Sequence, residues 1–277
     1  MFDTSSVTFA VAVNKIDIFN NNFMMSPCFG EGHSHQVLVQ QGFSSAAKAY
    51  NEAIDRSTND LIVFAHQDVV FPASWLADLQ RALESLQRTD PSWGVLGCYG
   101  EPLTDFGRGF IYSGDLGILG KPFDGPAPVQ TLDEVVLVLR KSSGLRFDQD
   151  LPHFHFYGAD ICMAAAAHGM KSYAISAFCV HNTERSLVLP REFYESYKHL
   201  KRRWRSRLPI RTTCVRITRF NTYMYKKRIQ EACLRLIGRT EINAVRVKDG
   251  RQLLAQLEQA SQNAADVVPV NCRCACQ

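Results

Sequence analysis

The stretch DLIVFA at 60–65 constrains this chain most, because its unbroken apolar run, bounded by polar residues, predicts a strand buried on both faces. It does not stand alone. VTFAVAV at 7–13 predicts another buried strand, and QVLVQQ at 36–41 a further one. Between them and DLIVFA, Ser44-Ser45 offers an N-cap for an Ala-rich helix through AAKAYNEAID. After a break at Pro72, a helix is expected over 74–86, since Trp75, Leu76, Leu79, Leu83 and Leu86 recur on one face. WGVLGC at 93–98 is a short strand. This alternation predicts an α/β fold: a mostly parallel sheet flanked by helices.

The middle of the chain reads differently. Gly and Pro crowd 100–128, predicting loops and at most a short hairpin, before VVLVLR at 135–140 restores a strand. A small-residue helix is expected within 157–169, a strand over 172–180, a helical and basic run over 190–238, and a last helix near 252–262. No internal repeat is visible, which excludes collagen-like and coiled-coil architectures.

With 277 residues, 46% of them hydrophobic and 21% charged, the chain can bury a full core, and disorder of the whole is excluded. No run reaches the ~20 apolar residues of a membrane-spanning helix, and Asp3 stands where a signal peptide would be basic. A cytoplasmic location is therefore expected, with peripheral contact at the inner face of a membrane left open. Nine cysteines, odd in number, sparse and without a CxxC pair, fit neither a disulfide framework nor a zinc ribbon. Cys272, Cys274 and Cys276 crowd the tail, where free thiols are the plain reading; a soft metal or lipidation is the alternative, though Cys276 fits a prenylation box poorly.

The net charge of +4 hides an asymmetry. Between Lys198 and Arg239 stand 14 Lys or Arg and one acid, Glu231, leaving 17 bases and 26 acids in the rest. Three accounts fit this segment, 198–239: a solvated helical face, attachment to anionic lipid headgroups, or nucleic-acid binding. No nucleic-acid motif accompanies it, so the last is the weakest.

His66-Gln67-Asp68 directly follows the best strand, where ligands of parallel sheets collect. Alternation puts His66 and Asp68 on one side and Gln67 on the other. A hard divalent cation bound with a diphosphate needs only one or two protein carboxylates, and Asp68 is placed to be one. An acid that merely ends a strand is the competing reading.

NEAIDRSTNDLIVFAHQDVVFPASWLADL at 51–79 resembles the centre of a family 2-type glycosyltransferase of the GT-A fold. TLDEVVLVLRK, LRFDQDLPHFHFYGADICMAAAAHGMKSYAI and CVHNTERS extend the resemblance in the family's order across roughly 7–206. It implies a GT-A (Rossmann-like) domain over 1–189; the charge and cysteine patterns add a basic helical region over 190–265, expected to pack on the domain or a membrane surface, and a Cys-rich tail at 266–277. The resemblance further implies a metal-dependent, inverting transfer of one sugar from a nucleotide-sugar donor to a hydroxyl acceptor, such as a glycan or lipid-linked sugar, with Mn or Mg as cofactor.

The residue roles come from the same resemblance. Asp68 matches the last acid of the family's Asp-X-Asp and would hold the metal; His66 replaces the first acid, and Gln67 sits between them at the donor site. His181 matches a His that completes the metal or diphosphate site. Asp160 falls at the catalytic base, which must take the acceptor's proton; as a plain residue it would be a helix N-cap. Ala159 replaces the acid often found beside that base. Asn14 and Asn51 resemble positions lining the base and ribose pocket, and Asp133 one near the donor sugar or acceptor. For each of these three, a turn or loop hydrogen bond is the competing reading.

His153 and His155 alternate with Phe154 and Phe156, suggesting a wall of the acceptor pocket more than a second metal site. LKRRW at 200–204 resembles part of the Gln-X-X-Arg-Trp box of processive synthases, with Leu200 in place of Gln; a single addition is the better reading. Two rivals remain. A nucleotidyltransferase would want a Gly-rich basic loop after the first strand, where 14–32 offers only Lys15. A binding protein that has lost its chemistry would explain His66.

Overall fold

A computed structural model describes residues 4, 6–30, 33–104, 106–184, 188–238 and 246–266, the side chains of 115 and 261–266 excepted. β1 (Thr8–Ala12) leads into the short helix α1 (Ile16–Asn21) and lies parallel between β2 (Gln36–Gln40) and β3 (Leu61–His66). The Ala-rich α2 (Ala46–Arg56) connects β2 to β3, and Ser45 caps it by accepting from the Lys48 amide at 3.4 Å. A two-residue strand β4 (Val69–Val70) and α3 (Trp75–Thr89) follow, then β5 (Val95–Gly97).

The Gly- and Pro-rich middle is not a loop. It contains β6 (Tyr99–Glu101), β7 (Arg108–Ser113), β8 (Ile118–Gly120), β9 (Ala127–Val129) and β10 (Thr131–Leu132). Glycine here lets backbones approach: a Cβ on Gly120, which has φ +75°, would lie 1.9 Å from the Gly109 carbonyl oxygen across the β7–β8 pair. β11 (Val136–Arg140) returns to the central sheet but runs antiparallel between β3 and β5.

After α4 (Tyr157–Ala167), the single strand expected over 172–180 divides into β12 (Ser172–Ala174) and β13 (Cys179–His181), which join different sheets. Between them Ile175 and Ala177 are fully buried, while Ser176, the one polar residue of the break, accepts from the Phe123 amide at 3.1 Å. The central sheet has seven strands in the order β2-β1-β3-β11-β5-β12-β9, mostly parallel, with β11 and β9 reversed. A second, six-stranded sheet runs β10-β6-β7-β13-β4 with β8 beside β7.

Alternation along the central strands builds two cores. Phe9, Val11, Val63 and Ala65 face Phe19, Trp75, Leu79 and Leu83 on one side, while Ala10, Ile62 and Phe64 face Tyr50, Ile54, Tyr157 and Ile161 on the other. The result is an α/β fold with helices on both faces of the sheet.

The helical run expected over 190–238 is interrupted. α5 (Arg191–Arg203) is followed by a hairpin of β14 (Ile210–Arg211) and β15 (Arg216–Ile217), then α6 (Thr222–Leu236). Ile210, Val215 and Ile217 end the helix because they, with Phe193, Tyr197 and Leu200, form a third core against Phe156, Ala159 and Met163 around α4. α7 (Gly250–Asp266) sets Leu253 and Leu254 against Val70 and Val180. Among the described residues no helix is long and apolar enough to cross a membrane. Cys272, Cys274 and Cys276 lie outside the described residues.

Candidate active site

Two backbone pairings bring His66, Asp68 and His181 together. Parallel pairing sets His66, the last residue of β3, opposite Ala12 of β1. The chain then turns through Gln67 and Asp68 into β4, whose Val69 lies opposite His181 of β13. The Asn182 amide donates to the Asp68 carbonyl at 2.9 Å and locks that register. One nitrogen from each imidazole and one carboxylate oxygen therefore lie within 4.8 Å of one another.

The hydrogen-bond network fits a cation. His66 Nε2 is 2.9 Å from the Tyr157 hydroxyl, which donates to the Glu134 carbonyl at 3.0 Å. Because that hydroxyl proton is committed, His66 carries its own on Nε2 and turns the Nδ1 lone pair inward, 3.3 Å from His181 Nε2. His181 Nε2 also lies 3.3 Å from Asp68 Oδ1, and its Nδ1 lies 3.4 Å from Ser113 Oγ. A serine hydroxyl donates or accepts, so it serves either tautomer of His181. Two imidazoles and one carboxylate, oriented from behind, suit Mn completed by diphosphate oxygens and water better than Mg, the expected alternative, which prefers an all-oxygen shell.

Electrostatics support the same state. Burial, then His181 beside it, holds His66 below the usual imidazole value, so the ring is neutral at pH 7. Burial alone would raise the Asp68 carboxyl, but His181, His66 and Arg246 together hold it well below the usual carboxylate range. Arg246 donates from Nη2 to Asp68 Oδ2 at 3.0 Å.

Two clefts meet on this cluster, and His66, His181 and Thr183 line both. One, of about 430 Å³, opens at the carboxyl ends of β1, β2 and β3 beside Asn14, Gln40, Tyr50, Gln67, Asp68 and Phe154. The other, of about 680 Å³, runs past Asp133, Glu134, His155 and Phe156.

The remaining sequence candidates divide. Asn14 and Gln67 bind each other: Gln67 Oε1 accepts from the Asn14 and Lys15 amides at 3.1 and 3.0 Å, and its Nε2 donates to Asn14 Oδ1 at 2.6 Å. Both line the first cleft. Asn51 does not. Its amide brackets the Phe147 backbone, donating to the carbonyl at 2.8 Å and accepting from the N–H at 3.0 Å, a buried strut. Asp133 lines the second cleft, accepting from the Val135 amide at 3.1 Å and the Thr213 hydroxyl at 2.6 Å.

Asp160 is 1% exposed, and neither cleft is lined by it. Its Oδ1 accepts from Trp204 Nε1 at 2.7 Å with Arg203 Nε at 3.4 Å, and its Oδ2 has no hydrogen-bond partner among the described residues. Burial pushes the carboxyl up to about 6 against the pull of Arg203 and Trp204.

The acid that sequence reasoning passed over is Glu134. It lines the second cleft, and its Oε1 accepts from the Gly158 amide at 3.4 Å at the start of α4. Burial, then Asp133 next to it, pushes this carboxyl up to about 8. Its one sequence signal was adjacency to Asp133 in TLDEVV. The HFHF run also divides: His153 pairs with Glu195 at 2.7 Å, Phe154 lines the first cleft, and His155 packs edge-on against Phe193 in the second.

No protein-family model matches the chain. Over 166 residues it is 29% identical to a curated Fuscovulum blasticum protein described as ATP synthase subunits region ORF 6, a match covering 56% of this chain and 65% of that one, less than two thirds of its length. Similar solved structures include the mannosyltransferase PcManGT from Pyrobaculum calidifontis in complex with GDP-Man and Mn2+, at 11% identity and TM-score 0.46, covering 96% of this chain and 81% of that one. S. aureus TarS 1–349 is similar at 13% identity and TM-score 0.43, covering 70% and 64%.

Proposed function

We propose that this chain is a GT-A-type glycosyltransferase of the family 2 kind, moving one sugar from a nucleotide-sugar donor to a hydroxyl acceptor with inversion. The observation that carries the reading is the meeting of two clefts on one His-Asp-His cluster. A bimolecular transfer needs two substrates held separately with their reacting atoms at a shared wall.

The donor nucleotide occupies the cleft at the strand ends, where Asn14 and Gln67 hold its rim. Asp68, His66 and His181 would hold the divalent cation, Mn by their chemistry, which would supply charge stabilisation for the departing diphosphate. The acceptor enters the other cleft. Its hydroxyl proton passes to Glu134, whose carboxyl value near 8 suits a base working close to neutral pH. Asp160, expected in that role, is buried and bonded to Trp204 Nε1 beside Arg203, and on this reading it fixes those two residues against α4. Asp133 holds Thr213 at the cleft wall.

An acceptor carried on a membrane lipid would meet the protein at the basic segment 198–239, with the enzyme at the cytoplasmic face. Residues 1–189 would then form the transferase domain and 190–265 its acceptor-side extension.

Incubation of the purified protein with a panel of nucleotide sugars and Mn tests the reading. Slow release of nucleoside diphosphate, abolished in Asp68→Ala, supports it. Release of pyrophosphate points to a nucleotidyltransferase, and inertness toward the whole panel to a binding protein.

A further inference from the structure

α6 is built inside out. Its inward face carries Met224 and its one carboxylate, Glu231, which is 3% exposed and accepts from the Leu189 amide at 3.0 Å and the Tyr194 hydroxyl at 2.7 Å. Its outward face carries Tyr225, Ile229 and Leu236, which are 63%, 66% and 86% exposed. Their spacing of four and seven residues aligns them in a stripe along the side opposite Glu231, with the exposed Cys233 between. Phe220 before the helix and Ile237 after it are 78% and 70% exposed and lengthen the apolar surface. A helix solvated on its free side would show the reverse arrangement.

Cations border this stripe. Lys226 lies beside it on the helix, and a groove of about 890 Å³ ends at Asn221, the N-cap of α6. Lys198, Lys201, Arg202, Arg205 and Arg219 line that groove. Lys201 is tethered there by donating to the Arg219 carbonyl at 2.8 Å.

We propose that α6 and this groove form a docking surface for an anionic phospholipid bilayer, with the groove on lipid phosphates and Tyr225, Ile229 and Leu236 at the boundary of headgroups and acyl chains. Charge selects this occupant. A second copy of the chain paired symmetrically through this face would bring one strongly basic surface against another, since 198–239 holds 14 Lys or Arg and one acid. A nucleic acid would take the cations but leave the aliphatic stripe in water. A bilayer surface satisfies both, as it does for interfacial amphipathic helices that combine Lys and Arg with Leu and aromatic residues. The proposal deepens the reading of 198–239 as the membrane-facing side but is argued from α6 and the groove alone, so failed vesicle binding overturns it while nucleotide-sugar turnover tests the transferase reading separately.

Co-sedimentation of the full chain with phosphatidylcholine vesicles, with and without phosphatidylglycerol, tests the proposal. Binding is expected only with phosphatidylglycerol and should weaken as salt screens the cations. A double variant, Ile229→Glu with Leu236→Glu, changes exposed side chains only and should lower partitioning about tenfold or more with its thermal melting unchanged. Lys198→Glu with Arg219→Glu should do the same from the groove side. The proposal is overturned if the wild type ignores anionic vesicles, if the Ile229/Leu236 variant binds them equally, if the chain takes up RNA instead of vesicles, or if the variant merely dissolves a dimer.

Discussion

Arg246 reaches Asp68 across 178 residues of chain and donates to its Oδ2 at 3.0 Å, while His181 faces the other carboxylate oxygen at 3.3 Å. The segment that delivers it is tied down: Asn182 donates to the Val247 carbonyl at 2.7 Å, and Leu253 and Leu254 of α7 pack on Val70 and Val180. The segment just before α7 thus completes the back of the cluster. His181 first, then His66 and the Arg246 guanidinium, keep this nearly buried carboxylate charged before any cation arrives.

Arg246→Gln should therefore lower stability and raise the benefit of metal. Removing one member of a buried pair costs roughly 3–5 kcal/mol, and His181 still faces the other oxygen, so about half of that is expected here. Thermal melting with and without Mn checks it. The variant should melt lower than wild type without Mn and gain more than wild type when Mn is added.

Glu134→Gln and Asp160→Asn separate the two candidate bases. Loss of a general base costs about 10²–10⁴-fold in turnover, and that loss is expected for Glu134→Gln alone. Activity in wild type should rise with pH through about 8, as the Glu134 carboxyl ionises. A pH–rate profile reads this directly, and an inactive, fully folded Asp160→Asn would return the role to Asp160.

Asp160→Asn should also stabilise the fold, and only at higher pH. Burial raises the folded-state carboxyl to about 6, above the unfolded value near 4. A raised acid contributes stability in full below the unfolded value and loses it as pH climbs through the folded one. Relative to acid conditions, ionising Asp160 near neutral pH costs up to about 3 kcal/mol, and asparagine still accepts from Trp204 while avoiding that cost. Melting curves at about pH 4 should coincide for the two proteins, and curves at about pH 7.5 should diverge in favour of the variant.

Asn51 and Asn14 should behave oppositely when cut to alanine. Asn51→Ala strands the buried N–H and carbonyl of Phe147, at roughly 1–3 kcal/mol each, so melting falls whether or not a nucleotide is present. Asn14→Ala should leave melting nearly unchanged and weaken nucleoside diphosphate binding, as titration calorimetry would show.

How far this was readable in advance depended on local signal. β1, β3, α2, α3 and α4 follow from apolar runs, one helical stripe and a serine cap. The antiparallel direction of β11 does not, because VVLVLR is equally buried whichever way it runs. The break between β12 and β13 left only Ser176 as a mark, a single small polar residue in an otherwise apolar run. The hairpin at 210–217 was hidden because Lys and Arg dominate its surroundings, although Ile210 and Ile217 are fully buried. Within the site, the two-residue spacing of His66 and Asp68 showed in the sequence. Glu134 showed only as a neighbour of Asp133, and Arg246 had no local signal, since its role depends on how α7 packs. Asp160 was visible as an acid at a helix start, but its burial depended on Trp204, 44 residues later.

Sugar transfer as proposed requires Asp68, His66 and His181 to hold a cation where the two clefts meet. Titration of the intact protein with Mn2+, followed by electron paramagnetic resonance with and without a nucleoside diphosphate, measures that directly. The expected result is one Mn2+ per chain, tighter with the nucleotide and lost in both Asp68→Ala and His181→Ala. Equal Mn2+ uptake by wild type and both variants, or none by the wild type even with nucleotide, would contradict it.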